Sequence, residues 1–355
     1  MPDTPKILLD ATVAQPPFSG VQYAVIAQAQ AIRRFLPKAQ AIGFWEGAEQ
    51  RPPNWAARTT AARILWQQFA LPRLLRNSGA DVLHALAYTC PWRCPVPVVL
   101  NVHDVIALEH PELCSRRNAW HIRTLMPRAI RQARAVIVSS HDTADRVRRL
   151  FGDKFRLEIV PLGVDAERFA TPSPRPTFLP FDGPYLLFVG NLEPKKDLPT
   201  LLRAYSQFAS QTAIPLVVAG RPAWKCASIL RDLQNWHGPG KIILPGRVAD
   251  QDLPGLYQHA ATVVMPSIQE GFGLPVLEAM AAGAPVVHSD CPALMETAGG
   301  AGLTFPRGDY RACANAIRRA IADPSALREA GIARSRALSW TDWGKAAARV
   351  ILSVL

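Results

Sequence analysis

Two glutamates, Glu270 and Glu278, bracket a glycine-containing run, Glu270-Gly-Phe-Gly-Leu-Pro-Val-Leu-Glu278, that follows the apolar stretch Val263-Val-Met265. The segment reads as strand, glycine loop and helix. Pro275 suits a first helical turn, where its missing N–H is no loss, and Gly283 suits the helix exit. Gly271 and Gly273 let the backbone come close to a ligand or take positive φ. A helix start aims unpaired N–H groups and a positive dipole end outward, which favours an anion such as pyrophosphate. A carboxylate only accepts hydrogen bonds, so Glu270 in the loop and Glu278 one turn into the helix suit sugar or ribose hydroxyls. Together these groups meet the chemistry of a nucleotide sugar; a glycine turn with solvated glutamates is the plainer alternative. Gly271-Phe-Gly273 also opens a GxGxxG, but Val276 stands at the third glycine, so the dinucleotide fingerprint fails.

The elements that must position this segment alternate between strands and helices. Short β-branched runs at 97–102, 135–139, 185–189, 215–219, 241–244, 261–265 and 285–288 are buried-strand signals. Helical periodicity runs between them, as over 197–208 and 311–321. Alternation of this kind predicts an α/β fold of doubly wound parallel sheets with helices on both faces. Proline-dense residues 171–184 read as a semi-rigid linker. The chain then divides into an N-terminal, acceptor-side Rossmann-like domain at 1–170 and a donor-binding one at 185–338. Residues 339–355 form a terminal helix, capped by Thr341 or Asp342, that packs back on the first domain. Two such domains face a cleft, and ligands of open parallel sheets bind at the carboxyl ends of strands.

Composition narrows the classes. Of 355 residues 49% are hydrophobic and 19% charged, which is globular, and no apolar run reaches the ~18–20 residues of a membrane span. The start, Met1 to Lys6, does not read as a secretory signal, so the expected location is cytoplasmic. The six cysteines form neither a disulfide framework nor a paired zinc pattern; Cys90-Pro-Trp-Arg-Cys94 is at most half a metal site. Asp250-Gln-Asp252 spells DxD, but at a polar turn opening a helix, where capping is the plain explanation. The net charge is +12, and residues 1–170 hold 22 Lys and Arg against 14 Asp and Glu. Such a face suits an anionic surface. The stretch Arg116 to Arg134, with Trp120, Ile122, Leu125, Met126 and Ile130 among its charges, fits an interfacial helix on the cytoplasmic face of the inner membrane, or a core-facing helix with an Arg-rich outer side. No nucleic-acid-binding motif accompanies the charge.

The Glu270–Glu278 segment resembles the E-x7-E signature of the GT-B family 4, or group 1, retaining glycosyltransferases. The resemblance covers nearly the whole chain. Phe188-Val-Gly190-Asn-Leu-Glu-Pro-Lys-Lys196-Asp197 resembles the family's ExxKN element, and Val218-Ala-Gly220-Arg221 and Leu244-Pro-Gly246-Arg247-Val248 its next strand ends. Asp252-Leu-Pro-Gly-Leu-Tyr257 resembles the helix before the signature strand. Ser19-Gly20-Val21-Gln22-Tyr23 is similar to its phosphate-facing glycine loop, and Asn101-Val-His103-Asp104 with His110-Pro111 to its HD…HP element. Within the family the pattern is nearest to mannosyl- and rhamnosyltransferases of surface polysaccharides.

The resemblance implies roles. Glu270 contacts donor-sugar hydroxyls, near the amides of Gly271, Phe272 and Gly273, while Glu278 holds the ribose. The amides of Leu274 and Gly20 approach the phosphates, and Lys196 neutralises the leaving pyrophosphate. His103, beside Asp104, orients the donor sugar or the acceptor hydroxyl. Gly190, Arg221, Arg247 and Val248 complete the donor site. One position departs: Asn191 stands where an arginine is expected, and Lys195 or Arg221 is left to supply its charge. The implied reaction moves a hexosyl group, such as mannose from GDP-mannose, to a lipid-linked saccharide acceptor, with no metal or other cofactor and no nucleic-acid partner. A nucleotide-sugar epimerase or a sugar phosphorylase on the same fold is the alternative.

Overall fold

The computed structural model describes residues 5–16, 18 and 20–355. Among these residues twelve strands form two parallel six-stranded sheets. The first holds β1 (Ile7–Asp10), β2 (Gln40–Ile42), β3 (Val82–Ala85), β4 (Val98–Val102), β5 (Ala135–Val138) and β6 (Leu157–Ile159), in the order β2-β1-β3-β4-β5-β6. The second holds β7 (Leu186–Val189), β8 (Leu216–Ala219), β9 (Ile242–Gly246), β10 (Thr262–Met265), β11 (Val286–Ser289) and β12 (Leu303–Phe305). Its order, β12-β11-β10-β7-β8-β9, reverses between β7 and β10; the first sheet reverses between β1 and β3. Loops leaving the strands at such a reversal diverge and open a crevice at the carboxyl edge. The central strands are buried on both faces, which is why they are mostly apolar, with Asp10, His84, Asn101 and His288 among the buried polar exceptions.

The chain divides into two compact units. One comprises 1–111, 116–163 and 340–355, the other 112–115 and 164–339. Inside the first, the helix Trp340–Leu352 packs along the helix Gly20–Phe35. It begins upstream of the expected caps: Asp342 lies in its first turn, and the Thr341 hydroxyl accepts from Arg34 Nη1 at 3.2 Å.

The proline-rich stretch is not a free spacer. The division falls at Gly163, and 171–184 lie along the second unit. Gln258 Nε2 donates to the Thr171 carbonyl at 2.7 Å, the Ser173 amide donates to Gln258 Oε1 at 2.9 Å, and Arg175 stacks on Phe181 and Tyr185. Proline removes backbone donors from such a stretch but leaves its carbonyls, and the helix Leu253–Gln258 uses them. That helix follows Asp252, whose carboxylate makes no capping hydrogen bond to it.

The Arg-rich helix spans Arg116–Gln132 and turns Ile122, Leu125, Met126 and Ile130 into the core. Those four residues therefore offer no face to lipid, and only Trp120, 73% exposed, stands outward among its large apolar side chains. Among the described residues no helix is long and apolar enough to cross a membrane.

Candidate functional site

The second unit gathers its polar side chains where the strand order reverses. β7 ends at Val189, just before Gly190, and the chain makes a 3-10 turn at Pro194–Lys196 before the helix Leu198–Ala209. Asp197, between turn and helix, takes φ +48 and caps Thr200 N at 3.4 Å. Asp tolerates this left-handed state better than most residues. The turn sends the Lys196 side chain back beside Gly190 and onto the loop after β10. There Lys196 Nζ donates to Glu270 Oε1 at 2.5 Å, and Ser267 Oγ donates to the same oxygen at 2.8 Å. Both charged side chains are buried. Burial by itself pushes the Glu270 carboxyl up, but the charges of Lys196 and Lys195 and the two hydrogen bonds outweigh it and hold it below the ordinary value. Oε2 can accept a hydrogen bond from a hydroxyl, and the remaining ammonium protons can be donated to an anion such as phosphate.

The loop is held from behind. Ser289 Oγ donates to Ser267 O, Thr297 Oγ1 to Phe272 O at 2.6 Å, and the Ile268 amide to Lys195 O at 2.8 Å. Gly273 precedes the helix Leu274–Ala281 at φ +102, a conformation that glycine adopts without strain. Phe272 is buried, while Gly271 and Leu274 are half-buried.

The adjoining strand ends carry the remaining candidates. The Gly190 amide donates to Ala219 O and that of Gly220 to Gly246 O, so the loops after β7, β8 and β9 run side by side. A Cβ on Gly220 would sit 1.8 Å from the Gly190 carbonyl oxygen. This approach brings Asn191 and Arg221 together: Arg221 Nε donates to Asn191 Oδ1 at 3.4 Å. Arg221 thus places a cation beside the position where one is missing. Lys195 instead faces Glu193, at 3.6 Å. Arg247 is exposed and Val248 buried at the end of β9.

Glu278 is held by Tyr257, whose hydroxyl donates to Oε2 at 2.8 Å. Burial pushes the Glu278 carboxyl up and Asp250 adds to this, against the Tyr257 hydrogen bond and the charge of Arg168. If Glu278 accepts ribose hydroxyls, nucleotide affinity falls as pH drops through a carboxyl value above the ordinary ~4.3, because the neutral acid is the poorer acceptor. Calorimetric titration of GDP between about pH 7.5 and about pH 4 checks this, and a constant affinity through the ordinary carboxyl range would remove Glu278 from the binding set. Tyr257→Phe is expected to weaken GDP binding at every pH in that range.

In the first unit His103 follows β4. Its Nε2 lies 2.9 Å from the Leu86 carbonyl oxygen, which accepts only, so the proton sits on Nε2 and Nδ1 carries the lone pair. Burial pushes the imidazole below its ordinary value despite the Leu86 bond and the Asp104 charge, which keeps it neutral near pH 7. Asp104 accepts from the Ile106 amide and the Tyr88 hydroxyl. Gly20 opens the helix Gly20–Phe35 with open space where a Cβ would stand; Ser19 lies outside the described residues.

Sequence reasoning missed Ser267, Tyr257, Arg168 and Tyr88. Ser267 lies just ahead of the Glu270–Glu278 run and Tyr257 within a motif already quoted, but no spacing rule pairs either with its glutamate. Among the described residues no group of three or more His, Cys, Asp or Glu could hold a metal ion.

Two family models cover most of the chain. Residues 183–323 match the family model described as glycosyl transferases group 1, and residues 19–168 that of glycosyltransferase family 4. The chain is 30% identical over 279 residues to the O-antigen chain mannosyltransferase B of Escherichia coli, across 75% of this chain and 72% of that one. Among solved structures, sucrose-phosphate synthase from Thermosynechococcus elongatus superposes with a TM-score of 0.76 at 20% identity, covering 99% of each chain. Anabaena HepE in complex with UDP and glucose gives 0.74 at 20% identity, covering 99% of this chain and 100% of that one.

Proposed function

The chain belongs to the group 1, family 4 glycosyltransferases, of GT-B fold, and we propose that it transfers mannose from GDP-mannose to a lipid-linked saccharide with retention of configuration. The observation that carries the donor assignment is the buried Lys196–Glu270 pair at the reversal of the second sheet, beside a helix start. The mannose assignment rests on likeness to the mannosyltransferase of O-antigen chains.

In this reading Glu270 Oε2 accepts a donor-sugar hydroxyl and Glu278 the ribose hydroxyls. Lys196, Arg221 and the amides at the start of the helix Leu274–Ala281 neutralise the pyrophosphate as the glycosidic bond breaks. Charge stabilisation of a leaving group by preorganised donors is commonly the largest catalytic effect, about 3–4 kcal/mol per donor. The leaving phosphate takes the acceptor's proton on the same face, so no protein nucleophile is needed. His103 Nδ1 receives a hydroxyl of the donor sugar or the acceptor. With Lys196, Arg221 and the helix start countering the phosphate charge, no metal is required.

The acceptor's lipid end is met at an anionic surface on the cytoplasmic side. Supporting this, Leu65, Phe69, Trp92 and Trp120 are exposed in the first unit, and Arg128 lies over the Trp92 ring, 5.3 Å from its centre. Aromatic side chains interleaved with arginine suit a headgroup layer. The test is sugar transfer to a polyprenyl-diphosphate-linked saccharide in anionic vesicles, with chelator present throughout. GDP-mannose is expected to support α-linked product and the protein to sediment with the vesicles at low salt. Turnover with UDP-glucose alone would replace the donor, loss of turnover with chelator would overturn metal independence, and no sedimentation would overturn the surface.

A further inference from the structure

Tyr88, in the loop between β3 and β4, lies at φ +57. For a bulky aromatic residue this left-handed conformation costs about 1–2 kcal/mol and persists only where surrounding contacts impose it. Its consequence is local. The chain reverses, so that the Leu86 carbonyl meets His103 Nε2 while the Tyr88 amide donates to Asn101 O at 2.8 Å. The Tyr88 side chain then turns onto the same pair of residues. Its hydroxyl donates to Asp104 Oδ2 at 3.0 Å, and its ring meets His103 edge to face, with centres 5.4 Å apart. The next residue, Thr89, points elsewhere: its hydroxyl donates to Gln67 Oε1, and Gln67 Nε2 donates to Asp10.

Asp104 is thereby pinned through both oxygens, Oδ1 by the Ile106 amide and Oδ2 by Tyr88. His103 is held through Nε2 on one side and by the Tyr88 ring on another. Glycine would supply the backbone conformation without strain. It would supply neither side-chain contact.

We propose that Tyr88 is the positioning residue of this site: its strained backbone is retained because it aims one side chain at both His103 and Asp104. The inference rests on the reading that His103 meets a sugar hydroxyl. Tyr88 touches no reacting atom and acts through the imidazole. Misplacing a reacting group by about 1 Å costs on the order of a hundredfold in rate.

The experiment compares Tyr88→Gly, Tyr88→Phe and His103→Ala with the full chain, using GDP-mannose, thermal melting and the side-chain nitrogen resonances of His103. Tyr88→Gly is expected to remain folded, to shift the His103 nitrogen resonances, and to lower kcat about 10–100-fold at unchanged KM for GDP-mannose. Tyr88→Phe, which keeps the ring and loses the hydroxyl, is expected to fall between it and the parent. The proposal is overturned if both Tyr88 variants keep kcat within about twofold and leave the His103 resonances in place. Should Tyr88→Gly unfold, Tyr88→Phe decides by the same two readouts. A His103→Ala variant with full turnover would instead defeat the parent reading, while the resonances still report whether Tyr88 orients the ring.

Discussion

Lys196→Met is expected to destabilise the second unit by about 3–5 kcal/mol, because it leaves the Glu270 carboxylate buried without its counter-charge. The same change is expected to lower transfer by about 10²–10³-fold through lost stabilisation of the leaving pyrophosphate. The two effects separate in the double variant Lys196→Met, Glu270→Gln. With no isolated charge left inside, most of the stability should return, whereas transfer should not. Urea unfolding and product formation by the four members of this cycle check it; a Lys196→Met protein with parental stability and turnover would end the assignment. The pair also sets an acid limit. The Glu270 carboxyl is held below its ordinary value, so its contribution is fully present above about pH 4.3 and is lost as pH falls through the lowered value. Glu270→Gln should remove that part of the acid transition.

Gly220→Ala should be the most damaging single methyl group in the second unit. Its Cβ would stand 1.8 Å from the Gly190 carbonyl oxygen, a backbone atom that no rotamer change can move. Relief requires the ends of β7 and β8 to part, which breaks the Leu192–Pro222 bridge and separates Asn191 from Arg221. A cost of about 3 kcal/mol or more follows from overpacking of this kind. Gly246→Ala is the control: Gly246 takes φ +71 with no atom near the added Cβ, so only the conformational cost of about 1–2 kcal/mol applies. Thermal unfolding of the two variants should rank them in that order, and equal midpoints would refute the close approach. Gly220→Ala should also lose GDP binding at temperatures where it remains folded.

The strands most legible in the sequence were those whose neighbours bury both faces. β4, β5, β7, β8, β10 and β11 are mostly apolar runs because each lies between two parallel partners, whereas β1 and β3, flanked in the same way, are not among the runs read as strands, and β9, read at 241–244, lies at a sheet edge. β2, β6 and β12, at sheet edges and only three residues long, leave too short a pattern to separate from loop. The proline run at 171–184 was visible as an irregular segment, but its docking was not. Nothing in a proline-rich composition says which helix will use its carbonyls.

The site divides in the same way. Glu270 to Glu278 is local: loop, helix start and both carboxylates lie within one turn-and-helix unit, so residue types and spacing alone point to an anion-and-hydroxyl site. What the tertiary structure decided was the pairing across distance. Lys196 meets Glu270 across 74 residues because β7 and β10 are neighbours at the reversal of the sheet. Arg221 reaches Asn191 because two glycines let adjacent strand ends touch, and Tyr88 reaches His103 and Asp104 because its backbone turns left-handed. Sequence spacing determines which side chains share a helix face or a loop. Strand order and the few positions of strained backbone determine which loops meet, and they depend on the packing of the whole sheet.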